Sequence, residues 1–187
     1  MRRAVRPAPA AFLFFGVITG FEGLFEVARK RIVERYGSLH PGGESPLFPF
    51  PATRTYGPAM GPDLMRRLFV LDAPWPQDAL APVKLAAIEM EEAIRASIDS
   101  PVERPVNIDP GLINDCRIIL ATTKDHSHRL YRALGIWEEI TLVFVRGEYR
   151  PLPWTYRDFK NPACHEFFKP FRRELLSRLK SGQWPRP

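Results

Sequence analysis

The chain has 187 residues, a formal net charge of +6 and a sequence pI near 9.6. This length suits one domain with a sizeable core, and the 45% hydrophobic and 12% aromatic content excludes an intrinsically disordered chain. The basic charge suits an anionic partner, although much of it is expected on solvated helix faces.

We predict a single domain over residues 1–187, with a flexible basic N-terminus at residues 1–9 and a flexible tail at residues 181–187. The apolar run from Ala10 to Ile18 is not followed by a signal-peptidase site and is too short to span a bilayer. We therefore interpret this run as a buried strand and predict a cytoplasmic protein without a membrane partner.

Strands and helices alternate in the first part of the chain, and a β-rich part follows. The predicted elements are strands over 11–18 and 65–72, helices over 21–36 and 77–98, strands near 116–123, 128–137, 139–145 and 148–152, and a last helix from 162. This order, β-α-β-β-α-β followed by a β-meander and a C-terminal helix, predicts an α+β fold. We expect its helices on one face of a mostly antiparallel sheet.

Several helix ends carry local signals. Thr19 and Glu22 have the spacing of a capping box, and Gly37 is placed to end the first helix. Asn161 and Pro162 are suited to begin the last helix. Residues 38–46 are predicted to form a loop.

The first candidate for chemistry is the segment RPVNIDPGLI, residues 104–113. The tripeptide from Asp109 to Gly111 fits a type II turn, and an extended chain would direct Asn107 and Asp109 to the same side. Together these two side chains suit a metal, a ribose or a water molecule. The simpler alternative is that Asp109 only stabilises its own turn.

The second candidate is ATTKDHSHRLY, residues 121–131, which follows a predicted buried strand. Lys124 and Arg129 suit a phosphate or a carboxylate. His126 and His128 would share one face of a strand, a spacing that zinc sites can use, and Asp109 is the best candidate for a third ligand. Without a clear third ligand, no metal is assigned. A plain polar turn is the competing interpretation.

Nucleotide and nucleophile motifs are missing. The chain has no G-x-x-x-x-G-K-[ST] segment, and His126 stands where the guanine-binding [NT]-K-x-D motif needs an acid, so the sequence disfavours a standard GTPase. Cys116 and Cys164 have no metal-type spacing, and the adjacent Cys164 and His165 do not form a triad.

The third candidate, PLPWTYRDF at residues 151–159, combines aromatic rings with a basic residue. Such rings can stack nucleic-acid bases, although they more often close the end of a core.

These segments together resemble the bacterial and archaeal family called domain of unknown function 4416, whose members are sometimes labelled GTP-binding proteins. RPVNIDPGLI, LATTKDHSHRLY, GIWEEITLVF and PLPWTYRDF are similar to its N-[IL]-D-P-G, T-K-[DN]-x-x-H-R-[IV], G-[IV]-[YW]-x-E-[IV]-T-L and P-L-P-W-T-Y-x-D-[YF] patterns. The resemblance implicates Asn107, Asp109, Lys124, His128, Arg129, Glu139, Trp154, Thr155, Tyr156 and Asp158. His126 falls on a variable position.

The chain departs from this family at ATRTYGPAMG, residues 52–61. The resemblance leads us to expect acidic residues near Pro51 and Ala59, so any acid–base or metal chemistry of those carboxylates would be lost in this member.

The sequence therefore favours a polar pocket at the strand ends that binds a small anionic, phosphate- or nucleotide-like ligand, with hydrolase or transferase chemistry as an option. Asp109 and His128 are the candidate catalytic residues. The candidate ligand-binding residues are Asn107, Lys124, Arg129, Trp154, Tyr156 and Asp158. The alternatives are an RNA-binding module that uses the basic C-terminal helix and the aromatic segment, and an interaction protein without a pocket. No cofactor is assigned.

Overall fold

The first apolar run forms the central strand of the fold, β1 (Ala11–Thr19), in which all nine residues are buried. A strand that is apolar without alternation is buried on both faces of its sheet. The computed structural model, which describes residues 7–51 and 57–185, shows this arrangement.

Eight further strands and four helices surround β1 in the described residues. The strands are β2 (Leu39–Glu44), β3 (Phe48–Pro49), β4 (Met65–Trp75), β5 (Asn107–Ile113), β6 (Arg117–Thr122), β7 (Leu130–Ala133), β8 (Ile136–Val145) and β9 (Glu148–Pro151). The helices are α1 (Gly23–Tyr36), α2 (Gly57–Met60), α3 (Leu80–Ala96) and α4 (Pro162–Lys180), with a 3-10 turn at Asp158–Lys160.

The strands form one sheet in the order β2-β4-β1-β5-β6-β8-β7, in which β3 also pairs with β4 and β9 with β8. Every strand pair is antiparallel. The predicted α+β class, the antiparallel sheet and the C-terminal helix are therefore confirmed.

The helices differ from the expected one-face arrangement. Leu13, Phe15 and Val17 of β1 pack in one core with α1 and α3, whereas Phe12 and Phe14 pack in a second core with α4. Successive side chains of a strand point to opposite faces, so α4 covers the face that α1 and α3 leave open.

Local signals at the helix ends have mixed outcomes. The Asn161 side chain caps α4 by accepting from the Ala163 N–H at 3.0 Å, as expected. The capping box at Thr19 does not form: α1 begins later, at Gly23, and the Thr19 hydroxyl donates to the Pro105 carbonyl at 2.7 Å. Thr19 thus ties β1 to the segment before β5.

Residues 38–46 also differ from expectation, because β2 occupies most of the predicted loop and lies at one edge of the sheet. Trp184, in the expected tail, is buried against Phe12 with ring centroids 4.5 Å apart. Three short stretches lie outside the described residues. They are residues 1–6 and 186–187 of the terminal segments and residues 52–56 of the segment that departs from the family pattern. Over residues 7–51 and 57–185, no helix has both the length and the apolar character needed to cross a bilayer.

Candidate functional site

The most informative local feature is a gap between the neighbouring strands β5 and β6. Their pairing begins at Gly111, opposite Leu120, although β5 itself pairs with β1 from Asn107 onwards. The predicted type II turn at residues 109–111 is therefore wrong, because these residues lie inside β5. Pro110 cannot donate a backbone hydrogen bond, and it lies where the pairing with β6 stops.

Gly111 permits the close approach of the strands at the point where the gap ends. A Cβ atom there would clash with the carbonyl oxygen of Ile119 on β6 and with the ring of Phe14 on β1. A residue without a side chain is therefore required at this position.

Two side chains of α3 replace the missing strand partner of Ile108. The Ile108 N–H donates to Glu91 Oε1 at 2.7 Å, and the Ile108 carbonyl accepts from Lys84 Nζ at 2.9 Å. Buried backbone groups need hydrogen-bond partners, and this pair supplies them where β6 does not. The gap is thus a stable part of the fold.

Asp109 lies in a network of charges beside this gap. Its Oδ1 accepts from Lys84 Nζ at 2.9 Å and its Oδ2 accepts from Asn107 Nδ2 at 2.7 Å. Burial alone would raise the pKa of Asp109, but the charges of Lys84 and Arg66 and these hydrogen bonds lower it overall. Asp109 is held as a carboxylate.

The pKa of Glu91 is shifted in the opposite direction to that of Asp109. Its Oε2 accepts from Arg104 Nη2 at 2.7 Å, and Arg104 also donates to the Asn107 side chain. Burial raises the pKa of Glu91 in spite of the charges of Lys84 and Arg104.

A second charged network surrounds Glu139, which is buried on β8. Its Oε2 accepts from Arg129 Nε at 2.7 Å and lies 3.3 Å from His128 Nε2. Arg129 also donates from Nη2 to the Tyr156 hydroxyl at 2.8 Å and from Nη1 to the Lys124 carbonyl at 2.8 Å. Burial and the charge of Glu139 raise the pKa of Tyr156. The Arg129 side chain is only 4% exposed, so its guanidinium is committed to the protein.

Two adjoining cavities open at the gap. The inner recess has a volume of about 40 Å³ and is lined chiefly by Asn107, Asp109, Thr122, Lys124, Glu139 and Tyr156. The outer basin has a volume of about 340 Å³, an apolar part at Ile88, Pro105 and Val106, and charged residues at Glu92, Arg95 and Glu103. Lys84, Arg104 and Thr123 line both cavities.

The fold gathers only part of the set that the sequence predicts as a site. Asn107, Asp109, Lys124 and Tyr156 line the inner recess, and Arg129 lies behind it against Glu139. The other members lie elsewhere.

His128 and Trp154 line a separate groove of about 200 Å³ that also borders Glu139. The His128 ring stacks on Trp154 with centroids 5.1 Å apart and on His126 at 5.7 Å. Asp158 is buried against Arg66, 2.5 Å from its Nε, and does not line the recess.

Lys84, Glu91 and Arg104 are central to the site, but the sequence did not identify them. Lys84 and Glu91 are seven residues apart, which places them on one side of α3 two turns apart. Charged residues at this spacing beside an apolar stripe are the signal that was available. A solvated helix face shows the same spacing of charged residues, so the sequence alone could not distinguish buried charged residues from surface ones.

Two further groups of charged side chains already form ion pairs within the protein. His40, Asp72 and Glu174 form the one group of three potential metal ligands within 4.8 Å in the described residues. The Arg178 guanidinium already lies 2.7 Å from Asp72 and 2.5 Å from Glu174. On α4, Lys169 is similarly paired with Glu148 and Glu166 at 2.6 Å.

The aromatic segment closes the core in part. Phe159 is fully buried and Tyr156 packs against the second core, while Trp154 is 39% exposed and donates from Nε1 to the Ile140 carbonyl at 2.8 Å.

Comparisons with known proteins agree with the sequence resemblance. No curated protein and no solved structure matches the chain. The profile of one protein family, described as a domain of unknown function (DUF4416), matches residues 9–175. Because this match covers most of the 187 residues, the chain belongs to the DUF4416 family.

Proposed function

We propose that the inner recess and the outer basin bind a small ligand that carries an anionic group. The observation that carries this proposal is the gap between β5 and β6, which a proline and two buried helix side chains keep open. A sheet would ordinarily close such a gap by pairing, and ligand sites are commonly preformed concave spaces of this kind.

The charge around the recess favours an anion. Four lysine and arginine residues face three carboxylates, which leaves an excess of one positive charge. The cationic residues are Lys84, Arg104, Lys124 and Arg129, and the acidic residues are Glu91, Asp109 and Glu139. An anionic group in the recess would balance this charge.

A cationic ligand is less suited to the recess, because the carboxylate oxygens there already accept hydrogen bonds. Lys84 and Asn107 donate to the two oxygens of Asp109, and Arg129 donates to Glu139 Oε2. A cation would have to displace these donors, which would leave buried charged groups without partners.

The proposal covers binding only. Asp109 lines the recess and His128 lines the neighbouring groove, so the two candidate catalytic residues do not share one cavity.

The test is a thermal-shift screen of the full chain with inorganic phosphate, nucleoside monophosphates, small carboxylates and their uncharged analogues. We expect anions to stabilise the protein and Lys124→Ala to weaken this stabilisation. Lys30→Ala, which changes an exposed residue of α1, should leave it unchanged. Stabilisation that is equal in both variants, or no stabilisation by any anion, would contradict the proposal. Salt-sensitive retention of single-stranded RNA without small-anion binding would favour the RNA-binding alternative instead.

A further inference from the structure

We infer that the anionic group recognised in the recess is a single carboxylate, and that the ligand is a small monocarboxylic acid whose remaining part is neutral or cationic, such as an α-amino acid. This inference rests on the proposed function and specifies its ligand class.

The size of the recess favours a carboxylate. Its volume is about 40 Å³, far smaller than the roughly 340 Å³ of the outer basin. A carboxylate has three heavy atoms in one plane, whereas a phosphoryl group has five in a tetrahedron. The narrow recess therefore suits the smaller, planar group better.

The charge of the recess leads to the same choice. Its surroundings carry an excess of one positive charge, which matches the single charge of a carboxylate. A phosphate monoester carries about −1.5 to −2 at neutral pH. It would leave excess negative charge beside the buried carboxylates of Asp109 and Glu139.

Tyr156 supplies a suitable donor. Its hydroxyl oxygen accepts from Arg129 Nη2 at 2.8 Å, so the hydroxyl proton can be directed to a ligand oxygen in the recess that Tyr156 lines. A hydroxyl that accepts from a charged donor becomes a stronger donor itself. The raised pKa of Tyr156 keeps this proton in place at neutral pH.

The outer basin restricts the rest of the ligand. Besides Lys84 and Arg104, which line both cavities, the basin is lined by three acids, Glu91, Glu92 and Glu103, and one base, Arg95. The basin lining as a whole has three cationic and three acidic side chains, so the positive excess at the recess does not continue into the basin. A second anionic group on the ligand would meet the three acids of the basin without an excess of positive charge to offset them, which disfavours dicarboxylates and nucleotides, whereas an ammonium group would be attracted to these acids.

The experiment is an NMR titration of the full, ¹⁵N-labelled chain with four probes: alanine, alaninamide, succinate and inorganic phosphate. We expect alanine to shift the backbone amides of Thr122 and Thr123, which line the recess. Alaninamide, which lacks the carboxylate, should not shift these amides. Succinate and phosphate should bind at least about tenfold more weakly than alanine, which corresponds to a cost of about 1.4 kcal/mol for the misplaced charge.

Two matched variants test the role of Tyr156. Tyr156→Phe should weaken alanine binding about tenfold, the effect of losing one hydrogen bond to a charged group. Tyr131→Phe removes a hydroxyl from an exposed tyrosine on β7 and should leave binding unchanged. Equal effects of the two variants would overturn the role of Tyr156.

The outcomes separate this inference from the proposed function. Phosphate binding as tightly as alanine at the same amides would overturn the carboxylate assignment, and succinate binding as tightly would overturn the restriction to monocarboxylic acids. Both results would leave anion binding intact. Alaninamide binding as tightly as alanine would show that the carboxylate is not recognised. If none of the anions shifts these amides, both the inference and the proposed function fail.

Discussion

Replacing Lys84 with methionine should destabilise the protein strongly, because one buried ammonium group holds several partners. Lys84 Nζ lies 2.9 Å from both the Ile108 carbonyl and Asp109 Oδ1, and 3.8 Å from Glu91 Oε1, with its side chain only 4% exposed. Methionine keeps much of the apolar stem but leaves the carbonyl and a carboxylate oxygen without this donor.

The expected loss is about 3–5 kcal/mol in the free energy of unfolding, the cost of removing one partner from a buried ion pair. This is a large fraction of the roughly 5–15 kcal/mol that stabilises an ordinary domain. Lys30→Met is the matched control, since Lys30 is 74% exposed and lies 4.0 Å from Glu34. Its effect should remain within about 0.5 kcal/mol.

Urea denaturation followed by circular dichroism measures both variants at neutral pH. If Lys84→Met does not fold, the double variant Lys84→Met/Asp109→Asn should recover part of the stability, because it removes the unpaired carboxylate. A Lys84→Met protein as stable as the Lys30→Met protein would refute the role assigned to Lys84.

Three further predictions address the site and the fold. Gly111→Ala should cost about 1–3 kcal/mol in urea denaturation because its Cβ has no space, whereas Gly23→Ala, where nothing lies within 4 Å, should be neutral or stabilising. The pKa of the Asp109 carboxyl, measured by ¹³C NMR, should lie below its ordinary value of 3.8, so its stabilising effect is lost as pH falls through that lowered pKa. Lys84→Met should raise this pKa, and an unchanged pKa in that variant would contradict the role of Lys84. Asn161→Ala should cost about 1 kcal/mol and Asn161→Gly only a few tenths, and equal losses in thermal denaturation would exclude a capping role.

Local patterns were sufficient to predict most elements of the fold. The apolar run of β1, the spacing in α1 and α3 and the Asn161 cap all depend on residues close together in sequence. The face on which α4 packs depends on contacts distant in sequence, so periodicity did not indicate it. The uninterrupted apolar character of β1 was nevertheless a sign that both faces are covered.

The candidate site was harder to predict for the same reason. The sequence indicated Asn107, Asp109, Lys124 and Tyr156, which the fold brings to one recess. It indicated a turn at Pro110, because a proline followed by a glycine fits a type II turn. Pro110 is tolerated inside β5 because β6 has already separated from β5 at this position. No local sequence pattern indicates that separation.

The two contacts that α3 makes with Ile108 also restrict insertions and deletions in that helix. Lys84 and Glu91 are seven residues apart, within about 20° of two full turns, so both reach the same backbone unit. Deleting or adding one residue between them would rotate one side chain away by about 100°. Homologous chains that keep this gap should therefore vary in residue type between positions 84 and 91, and keep the number of residues constant.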